Sequence, residues 1–361
     1  ADIFTLLEQV MVRRSRQDVK QRQAAGEEIR LPGKGIIRFP ERHLHSVDYE
    51  LETTYDGFYE KIVARIENLA LISFNIEEFR KAEEGDKEVE RVRQYSNALI
   101  GILKTLYLKR LESSLTAFEV SIRRQQAFQE RFYDLLVNHE RLLDSATNRR
   151  LLALQALEDD SVQDDIDAII EALPEADIRE YDLRAIKREL ERDMKALDSI
   201  LEMVELAQRL DDESKRDAKL AQVKGLLGGE LRGQKVLMFS YYRDTAEYVY
   251  KALCDDPAWQ TAWERPPVIE VIHGGTDGQR REKLVRRFAP TANLTEGEVS
   301  PITADEPEID ILISTDVLSE GQNLQDAGVI INYDLHWTPI RMIQRAGRID
   351  RLGTSFENLA I

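Results

Sequence analysis

Between residues 235 and 333, four short apolar runs alternate with stretches whose apolar residues step at helical spacing: KVLMFS (Lys235–Ser240), VIEVI (Val268–Ile272), DILIS (Asp310–Ser314) and GVIINY (Gly328–Tyr333). Runs this short, mostly rich in β-branched residues, read as buried strands. Helices are expected between and after them at Asp244–Leu253, Gln279–Phe288 and Pro339–Arg348, the last with Thr338 as N-cap and Pro339 in the first turn. The alternation leaves few solutions: βαβ units building a mostly parallel sheet with helices on its faces. The Pro-, Thr- and acid-rich stretch Ala289–Glu308 reads as an exposed insertion loop before the strand at Asp310. Phe356–Ile361 looks like the start of another strand, so the chain is expected to be cut from a longer protein.

Upstream the rhythm differs. Residues 54–227 contain one proline, Pro174, and few glycines. Val92, Tyr95, Leu99, Leu103, Leu106, Leu111, Leu115, Phe118 and Ile122 recur at steps of three to five, which predicts long amphipathic helices packed as a hairpin or bundle, with this stripe as core. Gly228, Gly229 and Gly233 in the stretch Leu226–Gln234 mark a linker or hinge. The first 50 residues mix a short helical piece with extended ones.

Composition narrows the class. No run of about 18 apolar residues is present, so no membrane span is expected. The lone Cys254 forms no internal disulfide, which fits a reducing compartment, and the first residues lack the apolar core of a signal peptide; a cytoplasmic, nucleoid-associated location is expected. The net charge of -17 argues by itself against a nucleic-acid binder. It is unevenly spread, however: residues 158–180 hold ten acids against one base, Arg179, and read as a solvated face. Local basic faces remain, in Arg13, Arg14, Arg16, Lys20 and Arg22 near the start and in Arg341, Arg345, Arg348 and Arg351 near the end.

The chemistry concentrates in residues 310–353. In QRAGRIDR, Gln344–Arg351, two arginines stand three apart, and in a helix opening into a turn that spacing puts both guanidiniums on one side. Always charged and forked, a pair like Arg348 and Arg351 can clamp one multiply charged oxyanion such as a transferring γ-phosphoryl group.

These residues resemble motifs V (STDVLSEGQNLQDA) and VI of superfamily-two helicases, and specifically of the Swi/Snf-type DNA-dependent ATPases. KVLMFSYYRDTAEYV resembles motif IV, IEVIHGGTDGQRREKLVRRF resembles motif IVa, and DLHWTPIRMIQRAGRIDRLG includes the aromatic-x-Pro feature at Trp337–Pro339. VMVRRSRQDVK is similar to the arginine-rich stretch that leaves the first lobe, and the whole is most like the bacterial branch related to an RNA-polymerase-associated ATPase.

The resemblance implies an α/β architecture: a RecA-like parallel-sheet lobe at 234–361, a large all-helical insertion at 54–227 and an inter-lobe junction segment at 1–53. It implies that Arg348 and Arg351 are arginine fingers toward ATP, with Gln344 beside them and Gly321 near the nucleotide sugar. Ser240, His273, Gly274, Ser314 and Thr315 would contact the backbone of one nucleic-acid strand, as hydroxyls and amides at parallel strand ends suit a grip that ignores sequence. DNA, duplex favoured, is the implied track, and RNA polymerase or another protein a possible partner of the helical insertion. ATP and Mg²⁺ would be bound mainly by the missing first lobe, because the chain contains no GxxxxGK[ST]. DDES at 211–214 sits in a helical acid-rich run and is not expected to bind Mg²⁺. This chain alone is therefore expected not to hydrolyse ATP.

Plainer readings stand beside these. Ser240, Ser314 and Thr315 are equally well strand-end caps, and the plainer reading of His273-Gly274-Gly275 is a tight turn after a strand. Trp337 reads as packing, and His43 and His45, with no cysteine or histidine near them, do not read as zinc ligands. Two other functions fit the residues. One is a DEAD/DEAH-type unwinding helicase, since QRxGRxxR is shared across that wider group. The other is a protein-docking module, for instance on RNA polymerase.

Overall fold

The computed structural model describes residues 19, 21–23, 25–31, 35–36, 40–55, 57–81, 87–144, 175–209, 217–261, 263–294, 298–319, 321–336, 338–350, 354 and 356–361. Outside these fall Arg351, Trp337, the DDES string, most of the acidic block and the arginine-rich stretch except Val19.

The four apolar runs form strands: β2 (Val236–Phe239), β3 (Ile269–Ile272), β4 (Ile311–Ser314) and β5 (Val329–Asn332). An N-terminal strand, β1 (Glu41–His43), and a C-terminal one, β6 (Asn358–Ala360), complete a six-stranded sheet in the order β1-β6-β5-β2-β4-β3. Every pairing in it is parallel. FENLAI thus does continue as a strand, and the junction segment supplies the strand beside it.

The alternation inside each strand builds two cores. Leu237, Phe239, Leu312 and Ile330 point to one face, where Leu284, Val285 and Phe288 of helix α7 (Gly278–Phe288) cover them. Val236, Met238, Ile311, Ile313 and Val329 point to the other, under Leu220, Val223 and Leu227 of α5 (Ala218–Gly228) and Ala246, Val249 and Leu253 of α6 (Arg243–Cys254). A strand dry on both faces needs this continuous apolar run, which is why these segments carry no polar alternation. Helix α5, read from sequence as the end of the helical insertion, packs on the sheet. The glycine-rich turn after it therefore joins two elements of one lobe.

The helical part has its own core. Helices α2 (Lys87–Ser113) and α3 (Leu115–Asn138) form an antiparallel hairpin, against which α4 (Leu183–Arg209) and the shorter α1 (Tyr59–Asn68) pack. The chain turns between α2 and α3 at Ser114, which is extended (φ -160, ψ 151) and whose hydroxyl accepts the Ala117 N–H at 3.1 Å, an N-cap that satisfies one orphan donor of α3. Leu103, Leu111, Phe118 and Ile122 are buried as expected, with Phe74 and Phe128 stacked at 5.1 Å. Tyr95 is a correction: it is 56% exposed, because the stripe drifts around the long helix and leaves this position outside the buried face. Asp193 caps a buried turn by accepting the Ala70 and Leu71 N–H groups at 2.8 and 2.6 Å, and burial raises its carboxyl above the usual range.

Two further expectations shift locally. The C-terminal helix α8 runs Pro339–Ala346 and ends before Arg348, because the chain turns at Gly347. Thr338 occupies the N-cap position, but its hydroxyl faces His336 Nδ1 at 3.1 Å and makes no cap bond. The Ala289–Glu308 segment is anchored at its start by a short helix, Pro290–Asn293, with Ala289 buried. Val299 further along is exposed.

Candidate nucleotide- and nucleic-acid-facing site

Parallel pairing aligns the carboxyl ends of β2, β4 and β3 side by side. The register places Phe239 opposite Ser314 and Ser314 opposite Ile272. The next residues continue it, as Ser240 N–H donates to Ser314 O at 2.9 Å and Thr315 N–H to Ile272 O at 3.1 Å. Ser240, Ser314, Thr315, His273 and Gly274 thus share one edge of the sheet, the usual ligand side of an open parallel sheet.

Their side chains divide into two groups. Ser240 and Ser314 are buried, and their hydroxyls are used inside the lobe: Ser240 Oγ donates to Asp334 Oδ2 at 2.7 Å, and Ser314 Oγ to Thr315 O at 2.8 Å. Both hydroxyls are engaged within the lobe, the arrangement that the strand-end support reading expects. Gly274 and Gly275 are exposed, and Thr315 is half-buried. His273 Nδ1 accepts the Gly275 N–H at 3.1 Å, its Nε2 lies 3.1 Å from Glu247 Oε1, and its backbone N–H donates to Thr276 Oγ1 at 3.0 Å. The turn is thereby fixed, and open space surrounds Gly274.

The second cluster stands on α8 and the segment after β4. Arg345, which sequence reading noted only as part of a basic tail, is its centre: a fully buried guanidinium. Its Nε donates to Asp316 Oδ1 at 2.7 Å, and its Nη1 to Asn332 Oδ1 at 3.2 Å and to Asp334 O at 3.3 Å, while the group lies over the Phe239 ring at 5.0 Å. It locks α8 to the residues just past Thr315 and to the end of β5. Beyond it Arg348 is half-buried, with Nη1 3.4 Å from Gln322 O, while its own carbonyl accepts the Leu324 N–H at 3.2 Å. Gly321, one residue before Gln322, adopts φ +84, a left-handed conformation that only glycine takes readily, and it is exposed, with nothing within 4 Å of where a Cβ would sit.

Gln344 Oε1 and Arg345 Nη2 are buried and have no hydrogen-bond partner among the described residues. Buried polar atoms normally have partners, so these two fit a site completed by another group. Next to them, Leu335, Ile340 and Ile343 are exposed apolar side chains. His336 packs edge-on against Tyr241 at 5.0 Å, and its Nδ1 accepts the Thr338 N–H. Burial holds it below its ordinary pKa; Asp316 opposes this, and the charges of Arg345 and Arg341 reinforce it.

Asp334 escaped the sequence reading. Its carboxylate accepts Ser240 Oγ, the Tyr241 N–H at 3.1 Å and Lys219 Nζ at 2.8 Å. Lys219, in α5, also donates to the carbonyls of Glu112 and Ser113 at 3.2 and 3.3 Å, and so bolts the α2–α3 corner to the sheet. Around it Ser113 and Ser114 bond Thr245, and Arg110 pairs with Asp244 at 3.3 Å. His43 Nε2 meets Asn358 Oδ1 at 3.0 Å, an inter-strand contact.

Residues 218–353 match the helicase conserved C-terminal domain. Among curated relatives, an uncharacterized ATP-dependent helicase, YqhH, of Bacillus subtilis is 54% identical over 46 residues, 13% of this chain and 8% of that protein. The RNA polymerase-associated protein RapA of Vibrio parahaemolyticus is 28% identical over 124 residues, 34% of this chain and 10% of the relative. Eukaryotic initiation factor 4A of Cryptosporidium parvum is 31% identical over 90 residues, 25% of this chain and 18% of its own. The chain thus spans less than a fifth of each relative's length. Among the described residues, no helix is long and apolar enough to cross a membrane.

Proposed function

We infer that this chain, whose residues 218–353 match the helicase conserved C-terminal domain, is the second, RecA-like lobe of a longer nucleic-acid-dependent ATPase motor of the Swi/Snf-type superfamily-two class. One observation carries the reading. The buried Arg345–Asp316 ion pair, together with the Leu324–Arg348 backbone bond, makes the strand-end edge and the arginine-bearing turn a single rigid piece.

On this reading Arg348, and Arg351 after it, reach the γ-phosphate across a cleft closed by the first lobe and stabilise the charge that develops there. Gln344 lies beside the triphosphate, and the open Gly321 backbone leaves room for the nucleotide sugar. The first lobe holds Mg²⁺ and most of the ATP. His273, Gly274, Gly275 and Thr315 present the outward-facing groups that grip a phosphodiester backbone, while Ser240 and Ser314 support them from inside. Lobe closure then shifts one grip along the strand relative to the other. Duplex DNA is the favoured track, and a cytoplasmic, nucleoid-associated motor the favoured setting.

The helical unit supports a docking role in addition. Tyr95 and Ile102 stand seven residues apart on one exposed face of α2, and the relative RapA is an RNA polymerase-associated protein.

The test is the ATPase activity of the full-length protein without nucleic acid, with duplex DNA and with RNA, in wild type and Arg348→Ala. Turnover stimulated by duplex DNA and reduced about 10³-fold or more by the substitution, with ATP still bound, is the expected result. Stimulation by RNA alone selects the unwinding-helicase reading. Turnover indifferent to both nucleic acid and Arg348 refutes the motor.

A further inference from the structure

Helix α6 starts in the loop that follows β2, and its first two turns face two ways. On one side Asp244 pairs with Arg110 at 3.3 Å, and Thr245 Oγ1 meets Ser113 Oγ at 2.7 Å and Ser114 Oγ at 3.0 Å, which ties the start of α6 to the α2–α3 corner. On the other side stand Arg243 and Glu247, four residues apart and therefore neighbours on one helix face. They form an ion pair in which Arg243 Nε donates to Glu247 Oε1 at 2.8 Å.

The same carboxylate oxygen reaches the turn after β3. Glu247 Oε1 lies 3.1 Å from His273 Nε2. Because His273 Nδ1 accepts the Gly275 N–H at 3.1 Å, the proton of the neutral ring sits on Nε2, and that nitrogen donates to Glu247. The guanidinium is held at the same place. A Cβ on Gly275 would lie 3.5 Å from Arg243 Nη1 and 3.3 Å from the His273 ring, so the missing side chain lets cation, ring and backbone close on one another. Gly274 and Gly275 are exposed there. One carboxylate thus fixes a guanidinium and an imidazole beside an open glycine turn, and a fixed guanidinium next to exposed backbone is suited to a phosphate.

We propose that Arg243 is a further phosphodiester contact and that Glu247 is its positioning residue, holding the Arg243 guanidinium and the His273 turn together as one corner that grips a single backbone phosphate. The proposal rests on the nucleic-acid-facing reading of His273 and Gly274 above and adds two residues of α6 to it. Glu247 itself touches no phosphate. Its own charge repels one, so its removal has opposite consequences under two accounts: a carboxylate that only stands near the track weakens binding, whereas one that aligns the corner strengthens it.

The experiment titrates the full-length protein with a duplex of random sequence and reads binding by fluorescence anisotropy at several salt concentrations. The variants are Arg243→Ala, Glu247→Ala, Glu247→Gln and the double variant Arg243→Ala/Glu247→Ala. Arg243→Ala is expected to weaken binding about tenfold and to reduce the slope of log K against the logarithm of salt concentration by about one, the signature of one lost phosphate contact. Glu247→Ala is expected to weaken binding about three- to tenfold, although it removes a negative charge. Glu247→Gln keeps an acceptor for both Arg243 and His273 and is expected to bind within about twofold of wild type, or more tightly. In the double variant the two losses are expected to add up to less than their sum, because both act on one corner. Glu247 is 43% exposed, so its urea midpoint is expected to stay near that of wild type, which separates lost alignment from lost fold.

Glu247→Ala binding duplex as tightly as wild type, or more tightly, overturns the positioning role, and so does strict additivity in the double variant. An unchanged affinity and salt slope in Arg243→Ala overturns the contact. If alanine at 247 unfolds the lobe, Glu247→Met, which keeps the stem without the carboxylate, decides in its place. A wild type that binds no duplex at any salt concentration overturns the nucleic-acid-facing reading itself, an outcome distinct from these.

Discussion

Replacing Lys219 by methionine tests how the helical unit and the sheet lobe are held together. Lys219 is 9% exposed and Asp334 8%, and the 2.8 Å bond between them is the centre of the junction. Methionine keeps the stem's packing and its contact with the Tyr333 ring, over which the ammonium lies at 4.1 Å, but leaves the Asp334 carboxylate without its cation. Breaking a buried pair by removing one partner costs about 3–5 kcal/mol. Asp334 keeps two donors, Ser240 Oγ and the Tyr241 N–H, which argues for the low end, about 3 kcal/mol.

The assay is equilibrium urea unfolding followed by two signals. Trp259, Trp263 and Trp337 all lie in the C-terminal part of the chain, so their fluorescence reports the sheet lobe; far-UV circular dichroism is weighted toward the long helices. In wild type the two transitions are expected to coincide, and in Lys219→Met to separate, because the clamp that makes them one unit is gone. Adding Asp334→Asn removes the uncompensated charge and is expected to return part of the loss, a coupling of about 1 kcal/mol or more. A loss below about 1 kcal/mol with coincident transitions, or strict additivity of the two substitutions, refutes this account of the junction.

Two other outcomes follow from local geometry. At Gly328 a Cβ would lie 2.8 Å from the Phe356 ring, which packs on the sheet core, so Gly328→Ala is expected to destabilise by about 1–3 kcal/mol, read from the urea midpoint; a neutral result would mean that the ring moves freely. Burial holds the folded pKa of His336 below the ordinary 6.5, so the unfolded chain takes up its proton first as pH falls. Its stabilising share is present above about pH 6.5 and lost on acidification below it. His336→Gln is expected to flatten that part of the stability–pH profile, and an unchanged profile counts against it.

The motifs were legible because they are dense in local information. Strand runs such as Val236–Phe239 carry their burial in composition. What stayed hidden depends on pairing across the chain. That Ser240 and Ser314 turn their hydroxyls inward follows from where Asp334 and the Thr315 carbonyl happen to stand, which no spacing reveals. Arg345 looked like one more basic residue of a tail, and only the carboxylate of Asp316, 29 positions earlier, makes it the buried pivot of the site. Tyr95 fell on the expected stripe and still faces outward, since periodicity identifies a face of a helix without identifying what lies against it.

The pairing of β1 with β6 has a consequence for how the molecule is made. Among the described residues, 41–43 pair with 358–360, so during synthesis the first strand waits while about 300 residues are added. At about 5–20 residues per second that is roughly 15–60 seconds with its backbone donors and acceptors unpaired. Closing a loop of that length also costs about 5 kcal/mol in chain entropy, against a short three-residue ladder. The strand is therefore expected to be the last piece of the sheet to settle and the first to leave. Arg42 would arrive at Asp350 only after the rest of the lobe is in place.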